Sequence, residues 1–329
     1  MKRVLSNSTL FILTTWSVGC LWIDGPDSRL LAGSLSAAFV AVSLYLAVFV
    51  RPIWQTWIAF AVLFFGVQFW WSGIEPSNDR DWLADVARLP TASFDGDLVT
   101  LENVRNFHYR SEGDFDEVWE TRSYDLSKLR GVDLFMSYWG SPLIAHTIVS
   151  WEFEDGRHLA ISIETRKEVG ESYSAVLGFF RQFELYYVAA DERDVIGVRT
   201  NHRDEQVFLY RLRTPLPVAR ALLVDYLRVM NQLAIRPRWY NALAHNCTTT
   251  IRRHAQHVAP RNPFSWKILV NGFIDELAYD RESIDTSLPF EELRRQSDIT
   301  ARAQAAADDQ AFSSLIREGL PGADRGREN

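Results

Sequence analysis

The chain has 329 residues, two cysteines, twelve tryptophans and a formal net charge of −7. That length holds one large domain or two smaller ones. The mild acidity leaves no basic footprint for nucleic acid, and two cysteines cannot staple a disulfide framework.

The amino terminus is the most apolar part. Leu10 to Ile23 carries no charge, Leu30 to Val50 adds 21 uncharged residues, and Trp54 to Ile74 is a third run with aromatic ends. About 20 apolar residues cross a hydrocarbon core of roughly 30 Å, and tryptophans suit its interfaces. Residues 1–74 therefore read as three transmembrane helices, about 8–24, 30–50 and 54–74. Lys2 and Arg3 ahead of a short apolar stretch also fit a signal peptide, but two further apolar runs follow at once. Lys2, Arg3 and Arg51 flank the spans on one side, so the positive-inside rule makes the amino terminus cytoplasmic. Three crossings then put everything after Ile74 outside, in the periplasm of a Gram-negative cell. Two crossings would reverse this.

From Glu75 the charges become frequent, and residues 75–290 read as an α+β domain. Leu98 to Phe107 alternates like a strand. Leu143 to Glu154 and His158 to Thr165 read as two strands around Asp155-Gly156, a strong hairpin signal. A helix is expected near Ser174 to Phe183, then short strands over Leu185 to Ala189, Val195 to Arg199 and Val207 to Leu212. Pro217 to Leu233 has helical spacing. Asn246 is a good N-cap for a helix over Cys247 to Val258, and another helix is expected over Trp266 to Tyr279. Residues 291–329 read as a polar tail, mobile from about Ile299.

Cys247 and His146 are the candidate nucleophile and base. A thiol in the first turn of a helix feels the positive end of the backbone dipole, which favours thiolate. Exposed N–H groups at that turn can stabilise an oxyanion. A histidine beside it accepts the thiol proton and later returns it to a leaving group. The base needs an orienting acceptor, and hairpin register decides which residue is available. A two-residue Asp155-Gly156 loop puts Thr165 opposite His146, whereas a three-residue loop puts Glu164 on its face. His158 is a further candidate.

Blander readings stand beside these. A free cysteine is often a small buried hydrophobe, and His146 could be a satisfied core histidine. His245, Cys247, His254 and His257 lie close in sequence, but their spacing matches no standard zinc signature. Ser162 and Thr248 to Thr250 offer hydroxyls, yet no Gly-x-Ser-x-Gly elbow is present. No cofactor and no metal are expected.

Several motifs are familiar: Ser77-Asn78-Asp79-Arg80-Asp81-Trp82, Asn103 to Tyr109 (NVRNFHY), Ala145-His146, Ser162 to Arg166 (SIETR), Trp239-Tyr240-Asn241 and Asn246-Cys247. Over roughly residues 75 to 260 the chain resembles the Lnb N-terminal periplasmic domain family, named for a lipoprotein N-acyltransferase. The order His then Asn-Cys is also similar to the permuted papain-like group that includes lecithin:retinol acyltransferase. That resemblance implies a permuted papain-like fold, Cys247 as the residue that carries a thioester and His146 as its base. Glu164 matches the motif and is expected to orient the histidine. The same motifs carry Asn246, Arg166, Tyr240, Asn241 and Arg105 as candidate substrate-binding or supporting residues. The function so implied is a cysteine acyltransferase anchored in the bacterial inner membrane. It would move an acyl chain from phospholipid to an amine, with the amine of a lipoprotein as the candidate acceptor. A periplasmic cysteine peptidase or amidase, and a non-enzymatic envelope-binding protein, are the alternatives. In Lnb the spans follow the soluble domain; here they precede it.

Overall fold

The computed structural model describes residues 2–322, apart from 245, 259–262, 264, 269 and 308, with side chains from residue 7 onward. Helices α1 (Lys2–Ile23), α2 (Arg29–Phe49) and α3 (Ile53–Ser72) come first. Strands follow: β1 (Thr91–Asp95), β2 (Leu98–Arg105), β3 (His108–Ser111), β4 (Asp114–Asp116), β5 (Trp119–Asp125), β6 (Leu129–Tyr138), β7 (Ala145–Phe153), β8 (His158–Arg166) and β9 (Glu184–Ala190). After α4 (Glu192–Val195) come β10 (Gln206–Arg211), α5 (Leu216–Ile235) and α6 (Cys247–Val258). The chain closes with α7 (Ile274–Asp280), α8 (Phe290–Ser297), α9 (Thr300–Ala306) and α10 (Phe312–Leu315). These elements divide into two compact units.

The first unit joins residues 1–77 with two short segments, 172–184 and 239–242. Its three helices pack through Leu10, Leu21, Phe39, Leu46 and Phe60. Of these helices α2 and α3 are long and apolar enough to cross a membrane. Helix α1 has 22 residues, and its described apolar part is Asn7–Ile23. Segment 172–184 does not form the expected helix; only Leu177–Phe179 makes a 3-10 turn. Its residues serve other contacts. Phe180 stacks on Trp16 with centroids 5.3 Å apart, and the Arg181 N–H reaches Asp24 Oδ2 at 3.0 Å. The Gly178 carbonyl accepts the Ala242 N–H at 2.8 Å.

The second unit is built on one mixed sheet in the order β1-β2-β9-β8-β7-β6-β10, with β5 also paired to β2. β6, β7, β8 and β10 run antiparallel to their neighbours in the series β10-β6-β7-β8. Strands β6 to β10 are nearly all buried, as near-continuous apolar runs covered on both faces would be. Phe135, Ile148, Ala160, Val188 and Leu209 form one core with Val195, Ile299, Ala303, Phe312 and Ile316. On α5, the Ala219 carbonyl accepts the Trp151 indole N–H at 3.0 Å, and Tyr226 packs edge-on against Trp151.

Three local expectations change. Val195 to Arg199 is not a strand: Asp191 caps α4 by accepting the Arg193 N–H at 3.0 Å, and a π-helix follows over Val198–His202. The helix expected over Trp266 to Tyr279 is broken into 3-10 turns at Trp266–Ile268 and Asn271–Phe273 before α7 begins. The break lies at Gly272, whose N–H bonds to the Leu143 carbonyl at 3.1 Å. A Cβ there would come within 2.2 Å of the Pro142 carbonyl oxygen, an approach only glycine allows. Finally, residues read as the polar tail fold back as α8, α9 and α10. Ile299, Ala303, Phe312 and Ile316 bury their side chains, and Arg317 pairs with Asp133 and Glu192.

Candidate active site

α6 starts at Cys247 because Asn246 caps it. Its Oδ1 accepts the Thr249 N–H at 2.8 Å and its carbonyl accepts the Thr250 N–H at 3.0 Å. The N–H groups of Cys247 and Thr248 then have no acceptor within the helix. Cys247 is buried, with Thr147 Oγ1 at 3.7 Å from its sulfur, Thr248 Oγ1 at 3.8 Å and Asn271 Nδ2 at 4.0 Å.

His146 sits on β7, and the β7–β8 turn decides its partners. The Phe153 N–H reaches the Arg157 carbonyl and the Gly156 N–H reaches the Phe153 carbonyl, both at 3.0 Å. Gly156 takes φ +79°, so the loop has three residues with glycine in the left-handed position. Pairing runs from Glu152 with His158 to Ile148 with Ser162. Continued by two residues, that register brings Glu164 level with His146, and Thr165 is excluded. The imidazole Nε2 is 3.1 Å from Glu164 Oε1 and 2.6 Å from Ser162 Oγ. Since Ser162 Oγ donates to Glu164 at 2.7 Å, it accepts the Nε2 proton, which leaves Nδ1 for the thiol.

Behind the carboxylate stands Arg199. Its Nη2 donates to Glu164 Oε1 at 2.7 Å and its Nη1 to Glu205 Oε2 at 3.0 Å. Ser137 Oγ donates to the same Glu205 oxygen. Thus the sulfur, the imidazole, Glu164, Arg199 and Glu205 form one chain of polar groups, buried except at the partly exposed Glu164.

The chain sets the protonation states. Burial alone would lower the basicity of His146, but Glu164 and Cys247 together outweigh it, and the imidazole is raised to about 9. Burial would raise the thiol, but the charge and hydrogen bond of His146, helped by Thr147, bring it down to about 6. Glu164 is held well below the usual carboxylate range despite burial, through His146 and Arg199. The lowered thiol and the raised imidazole favour thiolate and imidazolium near neutral pH, the state in which sulfur is nucleophilic and a proton is ready for a leaving group.

The other predicted residues lie elsewhere. Arg166 bonds to the carbonyls of Val86 and Ala87 and stacks over Trp82 at 4.1 Å. Arg105 makes a bidentate pair with Asp194 at 2.7–3.1 Å. Both are structural clamps. Tyr240 and Asn241 belong to the first unit, where the Tyr240 N–H bonds to the Phe183 carbonyl and Asn241 Nδ2 to that of Phe179. Asn246 supports the site as a cap. His158 turns to the Gly156 carbonyl at 3.1 Å instead of orienting His146. His245 lies outside the described residues. His254 and His257 both hold Asp225, at 2.7 and 3.1 Å, so neither turns to Cys247. Arg199 and Asn271 escaped the sequence reading because each lay inside a segment assigned to another element. Ser162 was visible only as a hydroxyl.

A family model, the Lnb N-terminal periplasmic domain, matches residues 115–272. That stretch of the chain belongs to the Lnb N-terminal periplasmic domain family. The match takes in β5 to the Asn271–Phe273 turn, hence His146, Ser162, Glu164, Arg199, Cys247 and Asn271. It begins after the Ser77–Trp82 and Asn103–Tyr109 motifs, so the family is carried by the later ones. No curated protein and no solved structure matches the chain. An Lnb-type periplasmic domain behind apolar helices fits an envelope protein anchored in a membrane.

Proposed function

We propose that the protein is a cysteine acyltransferase of the bacterial inner membrane that takes an acyl chain from phospholipid onto Cys247 and passes it to an amine. The observation that carries this is a buried Cys247 at the capped start of α6, with His146 held by Ser162 and Glu164. Sγ attacks the ester carbonyl carbon, so a C–S bond forms and the carbonyl π pair moves onto oxygen. Collapse returns that pair and breaks the ester C–O bond, and the leaving alkoxide takes the His146 proton. In the second half the amine nitrogen attacks the thioester, gives a proton to His146 and releases the thiolate. A lipoprotein amine is the acceptor that the family resemblance favours.

Two further features support a lipid donor. Leu143 and Ile144, in the loop leading to His146, and Trp266 are exposed apolar side chains, suited to an acyl chain. With α1 joining α2 and α3 as a third crossing, the domain would lie in the periplasm, confined to the layer that holds its substrate, which raises their effective concentration. The test uses the full chain in phospholipid vesicles with a synthetic lipopeptide bearing a free amine. Lysophospholipid and N-acylated lipopeptide should appear together and vanish in Cys247→Ala. Free fatty acid without acylated lipopeptide would make the protein a hydrolase. Full envelope function in Cys247→Ala would remove catalysis altogether.

A further inference from the structure

We propose that Asn271 is a catalytic residue, its side-chain N–H donating to the carbonyl oxygen as that oxygen becomes an oxyanion on Cys247. This rests on the acyl-transfer reading above and adds the group that stabilises its transition state. Three observations point to it. The Asn271 amide has a defined orientation, because its Oδ1 accepts the Ala145 N–H at 3.1 Å. Its Nδ2 therefore faces the sulfur, 4.0 Å away. That separation is too long for a strong bond to the thiol, yet it is the spacing a donor needs if an oxygen is to lie between it and a carbon bound to Sγ.

The donor is also held rigidly. The turn Asn271–Phe273 is fixed on one side by the Gly272 N–H to the Leu143 carbonyl, and on the other by Tyr138 Oη, which donates to the Gly272 carbonyl at 2.8 Å. Gly272 lets the turn press onto the Pro142 and Leu143 backbone. Ala145 and Leu143 flank His146 in sequence, so one short segment positions both the base and the amide. The N–H of Cys247, free of any acceptor within α6, supplies a second donor from the opposite element. Such preorganised donors do not reorient as charge develops, and removing one typically costs about 10² to 10³ in rate.

When Sγ attacks, the carbonyl π pair moves onto oxygen and Asn271 and the Cys247 N–H donate to it; when the pair returns and the C–O bond breaks, both bonds weaken again. Asn271 exchanges no proton.

The experiment uses the full chain in detergent micelles with 4-nitrophenyl octanoate as acyl donor, measuring nitrophenolate release and octanoyl mass gain on Cys247. In parallel, alkylation of Cys247 by iodoacetamide, which needs thiolate but no oxyanion hole, is followed against pH. Asn271→Asp keeps the acceptor for Ala145 and loses the donor; Asn271→Ala loses both. Acylation should fall by about a hundredfold or more in both variants, with the alkylation profile retained in Asn271→Ala and moved to higher pH in Asn271→Asp, whose carboxylate opposes the thiolate. Acylation at the unaltered rate in both variants would overturn the role of Asn271 alone. In Asn271→Ala, an alkylation rate that falls in step with acylation would also overturn it, assigning Asn271 to the thiolate and not to the oxyanion. Absence of any octanoyl adduct on the unsubstituted protein, with normal alkylation, would overturn the acyl-transfer reading and this role with it.

Discussion

At the scale of single residues, the site depends on one buried ion pair, and its pH behaviour follows from the neighbours. Cys247 is brought to about 6, so alkylation by iodoacetamide should rise with a midpoint near pH 6. In His146→Ala the main opposing charge is gone and burial remains, so the midpoint should move to pH 9 or above, the ordinary thiol value being 9.0. A midpoint still near 6 would mean that the helix start alone makes the thiolate. Acylation needs thiolate and imidazolium together, and its kcat/KM should be bell-shaped with limbs near 6 and 9. Glu164 is the main charge that raises His146, so Glu164→Gln should bring the alkaline limb to lower pH. An alkaline limb unmoved in that variant would assign the shift to another group. His146 and Cys247 were legible from the sequence by residue type and by the Asn-Cys cap. By hairpin register alone Glu164 was legible only as an alternative to Thr165, because one residue of loop length exchanges them and nothing in Asp155-Gly156 itself fixes that length; the resemblance of its motif favoured Glu164.

At the scale of elements, α6 and the carboxy-terminal helices show what local pattern can and cannot carry. The bounds of α6 followed from a single capping residue. Asn246→Ala should cost about 1 kcal/mol in unfolding free energy and should lower the thiol's reactivity as the first turn loosens. The carboxy-terminal helices were read as a tail because α8–α10 are short and polar, with apolar residues too sparse to form a stripe. Their docking depends on long-range partners, above all Arg317, which holds buried Asp133 and Glu192. Arg317→Ala leaves buried Glu192 without its cation and Asp133 with Arg211 alone, and should destabilise the domain by about 3–5 kcal/mol, measured by denaturant unfolding at pH 7. Burial would raise the Glu192 carboxyl, but Arg317 outweighs this and holds it far below the ordinary 4.5. Its contribution to stability is therefore present above about pH 4.5 and lost as pH falls further. A loss under 1 kcal/mol in Arg317→Ala would mean that α10 is dispensable to the core. The broken helix at Asn271 and the π-helix holding Arg199 were illegible for the same reason: both conformations are imposed by partners far away in sequence.

At the scale of the whole molecule, apolar helices and an Lnb-type periplasmic domain share one chain, and under the proposed function the bilayer would supply the acyl donor. With three crossings, protease added to intact spheroplasts should cleave the carboxy-terminal domain and spare the amino terminus. Protection of the domain would reverse the orientation and rule out a periplasmic site. The measurement closest to the central claim is the mass of the intact full-length protein after incubation with isotope-labelled phospholipid and no acceptor. A single labelled acyl chain on Cys247, lost to hydroxylamine and discharged onto an added lipopeptide amine, is the predicted result. No adduct on Cys247 while its thiolate still reacts with iodoacetamide near pH 7 would contradict the account.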